Sequence, residues 1–334
     1  MKKVLFVLFI IFNISLNLRA QEAPFRINGY IQGSTYSIVY FDKESRDFKK
    51  EIESILEQFN KSVSIYDSTS IISKVNRNVP NVQLDEYFIT CFNKSLEVSK
   101  ATDGAFDITV GPLVNAWGFG NKNKEKMDTA KVKAILEHVG FNKVSIKNNL
   151  LVKTDPEVII DFNGIAQGYS VDVISNFLKS KKIENFIVEI GGEVYANGKK
   201  PNGTFWTVGV EKPNDNKDGK NDLEAIAKLE NSALTTAGNY RKFYIENGIR
   251  YSHTINPKTG FPAKNTLLSA SVFAKECIIC DGYDTPFMVM GLEKTLVFLK
   301  KHPEIQAYLI YSDEKGDVKT FETEGLKDIL TEKK

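Results

Sequence analysis

Leu268-Ser269-Ala270-Ser271-Val272-Phe273, followed three residues on by Glu276-Cys277-Ile278-Ile279-Cys280-Asp281-Gly282-Tyr283-Asp284-Thr285-Pro286-Phe287-Met288-Val289-Met290, reads as a strand running into a helix. On that helix Asp281, Asp284 and Thr285 share one face, because residues three and four apart are neighbours on a helix. Two carboxylates and a hydroxyl are hard oxygen donors, which suit Mg²⁺ better than Zn²⁺ with its preference for Cys and His. Ile278, Ile279, Phe287, Met288, Val289 and Met290 surround the acids with apolar side chains. An unpaired charge in such surroundings is costly, so the acids are expected to have a partner. The competing reading is a first helical turn whose acids only complement the helix dipole.

Working outward, strands and helices mix without a regular βαβ rhythm. Residues 26–41 alternate like a strand or hairpin, and residues 46–60 carry Phe48, Ile52, Ile55, Leu56 and Phe59 on one helical stripe. Helices are expected over Glu86–Thr102, Thr129–His138 and Ala166–Leu178, with a short apolar strand at Glu157–Phe162. Residues 186–230 alternate strands and turns, with Gly191-Gly192 and Asn202-Gly203 as turn signals. Tyr240–Tyr244 and Arg250–Ile255 pair around Asn247-Gly248; Leu292–Lys300 is a further helix; Ile305–Tyr311 and Val318–Glu322 close with a hairpin over Asp313–Gly316. The pattern predicts an α+β fold rather than a doubly wound sheet: a single globular domain over 21–334, with mixed, largely antiparallel sheets and packed helices. No Pro/Gly-rich linker divides it.

Residues 1–20 stand apart. Lys2 and Lys3 precede the apolar run Val4–Ile14, and Ala20 ends the segment, the pattern of a secretory signal peptide. The run is short for a transmembrane helix. Export to a bacterial periplasm is expected, with an uncleaved N-terminal anchor as the alternative. Removing Lys2, Lys3 and Arg19 leaves 41 basic against 42 acidic residues, a net charge of −1. That balance, with no strong basic tract, gives no support to nucleic-acid binding. Three cysteines, Cys91, Cys277 and Cys280, make no disulfide framework. Cys277 and Cys280 form a C-x-x-C without a thioredoxin-like βαβ context, which favours two small buried residues over a redox pair.

Three other segments carry chemistry-bearing residues. Asp161-Phe162-Asn163-Gly164-Ile165-Ala166-Gln167-Gly168-Tyr169 joins a strand to a helix; Gly164 and Gly168 let backbone approach a ligand, and the helix N-terminus can face phosphate. Thr102-Asp103-Gly104-Ala105-Phe106-Asp107-Ile108-Thr109-Val110-Gly111-Pro112-Leu113 reads as a dense loop after a helix, either a flat pocket wall or a helix stop with a buried Phe. Tyr251-Ser252-His253-Thr254-Ile255-Asn256-Pro257-Lys258-Thr259-Gly260 holds His253 in a loop, where it can act as acid, base or ligand. His138 and His302 read as surface residues. No Gly-x-Ser-x-Gly or His-Glu-x-x-His occurs, so serine hydrolase and zincin chemistry have no support. Ser68-Thr69-Ser70 beside Asp67 reads as a helix cap.

Taken in order, these segments resemble the ApbE family, the FAD:protein FMN transferases, from about Gly33 to Gly291. Asn115-Ala116-Trp117-Gly118-Phe119-Gly120, Val188-Glu189-Ile190-Gly191-Gly192-Glu193 and Val208-Gly209-Val210-Glu211-Lys212-Pro213 add to the match. The resemblance implies an enzyme that takes FAD as substrate with Mg²⁺ as cofactor. It would pass FMN to a Ser or Thr of a partner protein in an exported or membrane-bound redox system, and release AMP. Hydrolysis of FAD to FMN and AMP, and flavin storage without catalysis, are the alternatives. It also implies residue roles: Asp281 and Thr285 as Mg²⁺ ligands, with Asp284 close by and a main-chain carbonyl near Gly164. Tyr66 and the Ala105-Phe106-Asp107 segment would pack on the flavin or adenine. Gln32, Asp161, Gln167 and the Ile255 backbone would line the FAD site, and His253 would assist the attacking hydroxyl. Gln167 stands where many members carry Lys or Glu, and Asn256 replaces the Asp of an Asp-Pro turn; no departure removes an implied metal ligand.

Overall fold

The computed structural model describes residues 23–120, 124–213, 222–239, 243–246 and 249–333. The leader segment and the Asn247-Gly248 turn lie outside the described residues. Strands β1 (Phe25–Ile31) and β2 (Ser34–Phe41) form the expected hairpin. Helices α1 (Lys49–Val63) and α2 (Ile71–Asn76) follow, the second capped by Ser70, whose side chain accepts from the Ser73 amide as the Ser/Thr-rich stretch suggested. Then come α3 (Glu86–Ala101), capped by Asp85, α4 (Gly111–Ala116), and α5 (Thr129–Leu136), capped by Asp128. A small hairpin, β3 (Val144–Lys147) and β4 (Leu150–Lys153), precedes α6 (Ala166–Ser180).

The second half is β-rich: β5 (Asn185–Ile190), β6 (Glu193–Asn197), β7 (Trp206–Glu211), β8 (Leu223–Leu229), β9 (Ser232–Gly238), β10 (Phe243–Glu246), β11 (Ile249–Ser252) and β12 (Leu267–Ala274). Helix α7 (Cys277–Lys301) and strands β13 (Gln306–Ser312), β14 (Val318–Glu322) and β15 (Leu330–Glu332) complete the chain. Eight strands make the main sheet in the order β1-β2-β5-β6-β9-β12-β13-β14, and β15-β8-β7 make a second. Every strand pair among the described residues is antiparallel, as an α+β fold without βαβ units requires. No helix among them is long and apolar enough to cross a membrane.

The main sheet is buried on both faces. Ile38 and Tyr40 of β2 enter the core shared with α1, α3, α6 and α7, while Val39 between them joins a second core with Trp206, Ala225 and Leu229 of the smaller sheet. Strand side chains alternate faces, so a strand covered on both sides reads as an unbroken apolar run. The layers are helices, large sheet, small sheet. Leu113, Trp117, Val132 and Ile255 form a satellite cluster under α4 and α5.

Three expectations are corrected. Glu157–Phe162 joins no sheet. Val158, Ile160 and Phe162 are buried alternately as in a strand, but the Ile160 amide and carbonyl are taken by the Asn76 side chain (2.8 Å each) and the Asp161 amide by the Ile108 carbonyl (2.7 Å). The block read as a loop through Leu113 already contains the start of α4, with Pro112 in its first turn. Residues 46–48 lie ahead of α1, held by the Tyr40 hydroxyl, which donates to the Arg46 carbonyl and accepts from the Phe48 amide. The two helices expected at 276–290 and 292–300 are borne out: α7 breaks between them at Gly291, whose φ of 76° and ψ of 176° are not helical.

Candidate active site

Six segments that are distant in sequence meet around one cavity of about 340 Å³. The β1–β2 turn contributes Gln32. Ile31 pairs with Ser34, so the turn has two residues, and both Gln32 (φ 54°) and Gly33 (φ 75°) are left-handed, the geometry that suits the twist of a hairpin. Gln32 accepts a hydrogen bond from the Ser170 hydroxyl of α6 at 3.3 Å, while its amide nitrogen is buried without a partner. Tyr66, just past α1, edges the cavity and is 64% exposed.

The turn after α3 supplies Ala105, Phe106 and Asp107. Asp103 (φ 50°) and Gly104 (φ 73°) reverse the chain there, and the Thr102 hydroxyl accepts from the Phe106 amide. The Asp107 carboxylate is committed to the fold: it accepts from the Thr109 amide and hydroxyl (2.8 and 2.7 Å) and from the Phe141 amide (2.8 Å). Burial nevertheless pushes its pKa up.

Asp161, Gly164 and Gln167 enter from the segment leading into α6. Asp161 accepts from the Asn163 amide at 2.8 Å, and packing by protein atoms pushes its carboxyl up to about 6 although part of its surface remains open. A side chain at Gly164 would press on the Phe106 ring, with its Cβ 3.1 Å from Cε2. Gly168 corrects the sequence reading. A Cβ there would lie 2.6 Å from both the Asp281 Cβ and the Cys277 carbonyl, so this glycine admits α7 rather than a ligand. Its amide, near the start of α6, donates to the Asp281 carboxylate at 2.7 Å rather than facing open space.

His253, Thr254 and Ile255 line the opposite wall. The His253 ring lies 6.4 Å from that of Phe119, which also lines the cavity. Asn256 shapes the following turn, its side-chain oxygen accepting from the amides of Lys258 and Thr259, and the Trp117 indole donates to the Gly260 carbonyl at 2.8 Å. Val110, Val114 and Thr254 are cavity residues that the sequence reading did not single out; Val114 lies in the unrecognised α4 and Val110 immediately precedes it.

Helix α7 closes the site. Thr285 lines the cavity, while Asp281 and Asp284 sit behind it, 5% and 3% exposed. The Thr285 hydroxyl donates to Asp284 at 3.2 Å. Burial, with repulsion from Asp172, pushes Asp281 up to about 7; burial, with repulsion from Asp281, pushes Asp284 well up. No Lys or Arg among the described residues pairs with either acid. The Thr235 hydroxyl is buried beside Asp284 and, with Thr285, eases the upward push on that carboxyl. No group of three His, Cys, Asp or Glu side chains placed to hold a metal ion is present among the described residues. Two carboxyls without a cation and two threonine hydroxyls are a hard-oxygen set that fits a hydrated Mg²⁺. Cys91, Cys277 and Cys280 are free thiols and buried, as expected of packing residues.

The architecture matches solved structures of flavin transferases. Superposition on the flavin transferase ApbE from Vibrio cholerae gives a TM-score of 0.83 at 32% identity, covering 92% of this chain and 99% of that one. The apo flavinyl transferase ApbE of Pseudomonas stutzeri gives 0.82 at 30% identity, covering 92% and 97%. These place the chain in the flavin-transferase fold class. Residues 32–309 match the ApbE family as a whole, and a protein of Haemophilus influenzae named FAD:protein FMN transferase is 35% identical over 87% of this chain and 88% of its own. The chain belongs to the ApbE family.

Proposed function

We propose that the protein is a Mg²⁺-dependent FAD:protein FMN transferase, attaching FMN from FAD to a Ser or Thr of an exported or membrane-bound redox protein and releasing AMP. One observation carries this reading: aromatic, polar and histidine side chains from six segments converge on one cavity, beside a buried acid pair that lacks a cation of its own. The names of the relatives agree with it.

Asp281, Asp284 and Thr285, with a main-chain carbonyl near Gly164, would hold Mg²⁺, which would offset negative charge on the phosphate oxygens and ease the departure of AMP. Phe106 and Tyr66 offer ring faces to a flavin or adenine. The free amide nitrogen of Gln32 offers a donor to a ligand oxygen. Holding both halves of FAD lowers the entropic share of the barrier. The acceptor hydroxyl oxygen forms a bond to the FMN phosphorus as the bond from that phosphorus to the AMP oxygen breaks. The hydroxyl proton passes to His253. The segment 1–20 would direct export, so the mature chain would begin at Gln21; a Met1 terminus on membrane-bound protein would overturn cleavage.

Incubation with FAD, Mg²⁺ and a candidate acceptor tests the chemistry through AMP release and covalent FMN. His253→Ala should slow transfer by about 100-fold, the usual range for loss of a general base, while sparing Mg²⁺ binding. Full activity in chelator would exclude the metal assignment. AMP and free FMN without labelled acceptor would identify a hydrolase, and intact FAD a storage protein.

A further inference from the structure

Helices α6 and α7 each lack a cap of their own. Ile165, at the start of α6, and Glu276, at the start of α7, make no side-chain capping bond, and neither first turn carries an acid. The first amides of a helix need acceptors, and in a buried helix water does not supply them. Each helix instead takes a carboxylate from the other. Asp172 of α6 accepts from the Cys277 amide through one oxygen and from the Ile278 amide through the other, both at 2.8 Å. Asp281 of α7 accepts from the Gly168 amide at 2.7 Å. Between these two bridges the backbones touch at Gly168, where no side chain fits.

The three bonds and the close contact fix more than the distance between the helices. Bidentate acceptance by Asp172 sets how far α7 is rotated about its axis at Cys277 and Ile278. Asp281 lies one turn further along the same helix. Its carboxylate can meet the Gly168 amide only at that rotation, which leaves its second oxygen for another partner. Asp172 is itself buried, 8% exposed, and does not line the cavity.

We propose that Asp172 is a positioning residue for the metal site: its bridge to the first two amides of α7 holds the Asp281 carboxylate in the geometry that binds Mg²⁺. The inference rests on the Mg²⁺ reading of Asp281 and names the residue on which that reading depends. It assigns Asp172 no contact with substrate or ion. Residues that orient metal ligands from behind typically contribute 10–100-fold to affinity.

The test measures Mg²⁺ binding directly, by calorimetric titration of the FAD-free full chain. Wild type, Asp172→Asn, Asp172→Ala and Asp128→Ala are compared. Asp128 caps α5 and serves as the control for loss of a helix cap far from the ion. Both Asp172 variants should bind Mg²⁺ at least about tenfold more weakly. Their half-saturating Mg²⁺ for AMP release should rise by the same factor, and excess Mg²⁺ should restore most of the maximal rate. FAD binding in chelator should stay unchanged. Asp128→Ala should lose thermal stability and keep wild-type Mg²⁺ affinity. If Asp172→Ala does not fold, Asp172→Asn carries the test, since it keeps the size and one acceptor oxygen. Mg²⁺ affinity unchanged in a folded Asp172 variant, with only the melting temperature lowered, would make the residue a plain cap and overturn the proposal. Wild type that binds no Mg²⁺ and transfers FMN in chelator would instead remove the metal reading, and this proposal with it.

Discussion

Asp42 and the Asp281–Asp284 pair are buried to similar degrees, 7% exposed against 5% and 3%, yet their surroundings push their acidities in opposite directions. Asp42, just past β2, accepts from the Arg46 Nε (2.8 Å) and Nη2 (3.0 Å) and from the amides of Arg46 and Glu44. Arg46 first, then the amides, hold its carboxyl down to about 2 against the cost of burial. Asp281 has one amide, Asp284 the threonine hydroxyls of Thr235 and Thr285, and each faces another acid. Asp107, in the wall of the same cavity, lies between these extremes: it has no cation but two amides and a hydroxyl. Where an acid serves the fold, the chain supplies donors to fill it. Two buried carboxyls left facing each other are destabilising in themselves, and a cation from outside the chain would relieve them.

The largest expected effect breaks the comparison on the α7 side. Asp281→Asn keeps the size of the side chain and an oxygen for the Gly168 amide, while removing a charge that repels Asp284 and Asp172. The metal-free variant should melt no lower than wild type, because no compensating cation is lost with the charge. FAD cleavage should fall by about two orders of magnitude or more, as on removing a main electrostatic stabiliser. AMP release and thermal melting of the metal-free protein measure the two halves. Unchanged turnover, or a melting point lowered as if an ion pair had been cut, would put Asp281 in the same class as Asp42.

The acid-bearing helix was legible because its apolar surroundings set Asp281 and Asp284 apart, and the β1–β2 hairpin because its strands alternate. Other parts depend on contacts that no local pattern records. Residues 157–162 have the burial rhythm of a strand, but the side chain of Asn76, far away in sequence, takes the place of a neighbouring strand. Gly168 reads equally as a place for a ligand or for a helix, and only the position of α7 decides it. Asp172 looks like any acid on a helix until Cys277 and Ile278 are seen to start against it. Two signals were there to be read: Pro112 at the first turn of α4, and Asn148-Asn149, both left-handed, at the β3–β4 turn. The assignment of Tyr66, Gln32 and Ile255 to a flavin site came from family resemblance, since periodicity says nothing of ligands.

The smaller effect sharpens the Asp42 side. Arg46→Gln removes the cation and keeps a hydrogen-bonding side chain of moderate length. Asp42 in the fold titrates at about 2, below the ordinary carboxylate value of about 3.9. As pH falls, the unfolded chain therefore takes up this proton first. The contribution of Asp42 is complete above about pH 5, shrinks as pH falls through 4 towards 2, and is gone below that. With the Arg46 side chain 34% exposed, solvent screens the pair and leaves only a modest stability gap at pH 7. Urea unfolding should show that gap between wild type and Arg46→Gln at pH 7 and close most of it at pH 2. Arg46 also donates through Nη2 to the Lys181 carbonyl at 3.0 Å, a bond that does not titrate. A gap that persists in full at pH 2 would assign the stabilisation to that bond. Asp42 would then owe nothing to its cation, and the contrast with the uncompensated acids of α7 would lose its reference.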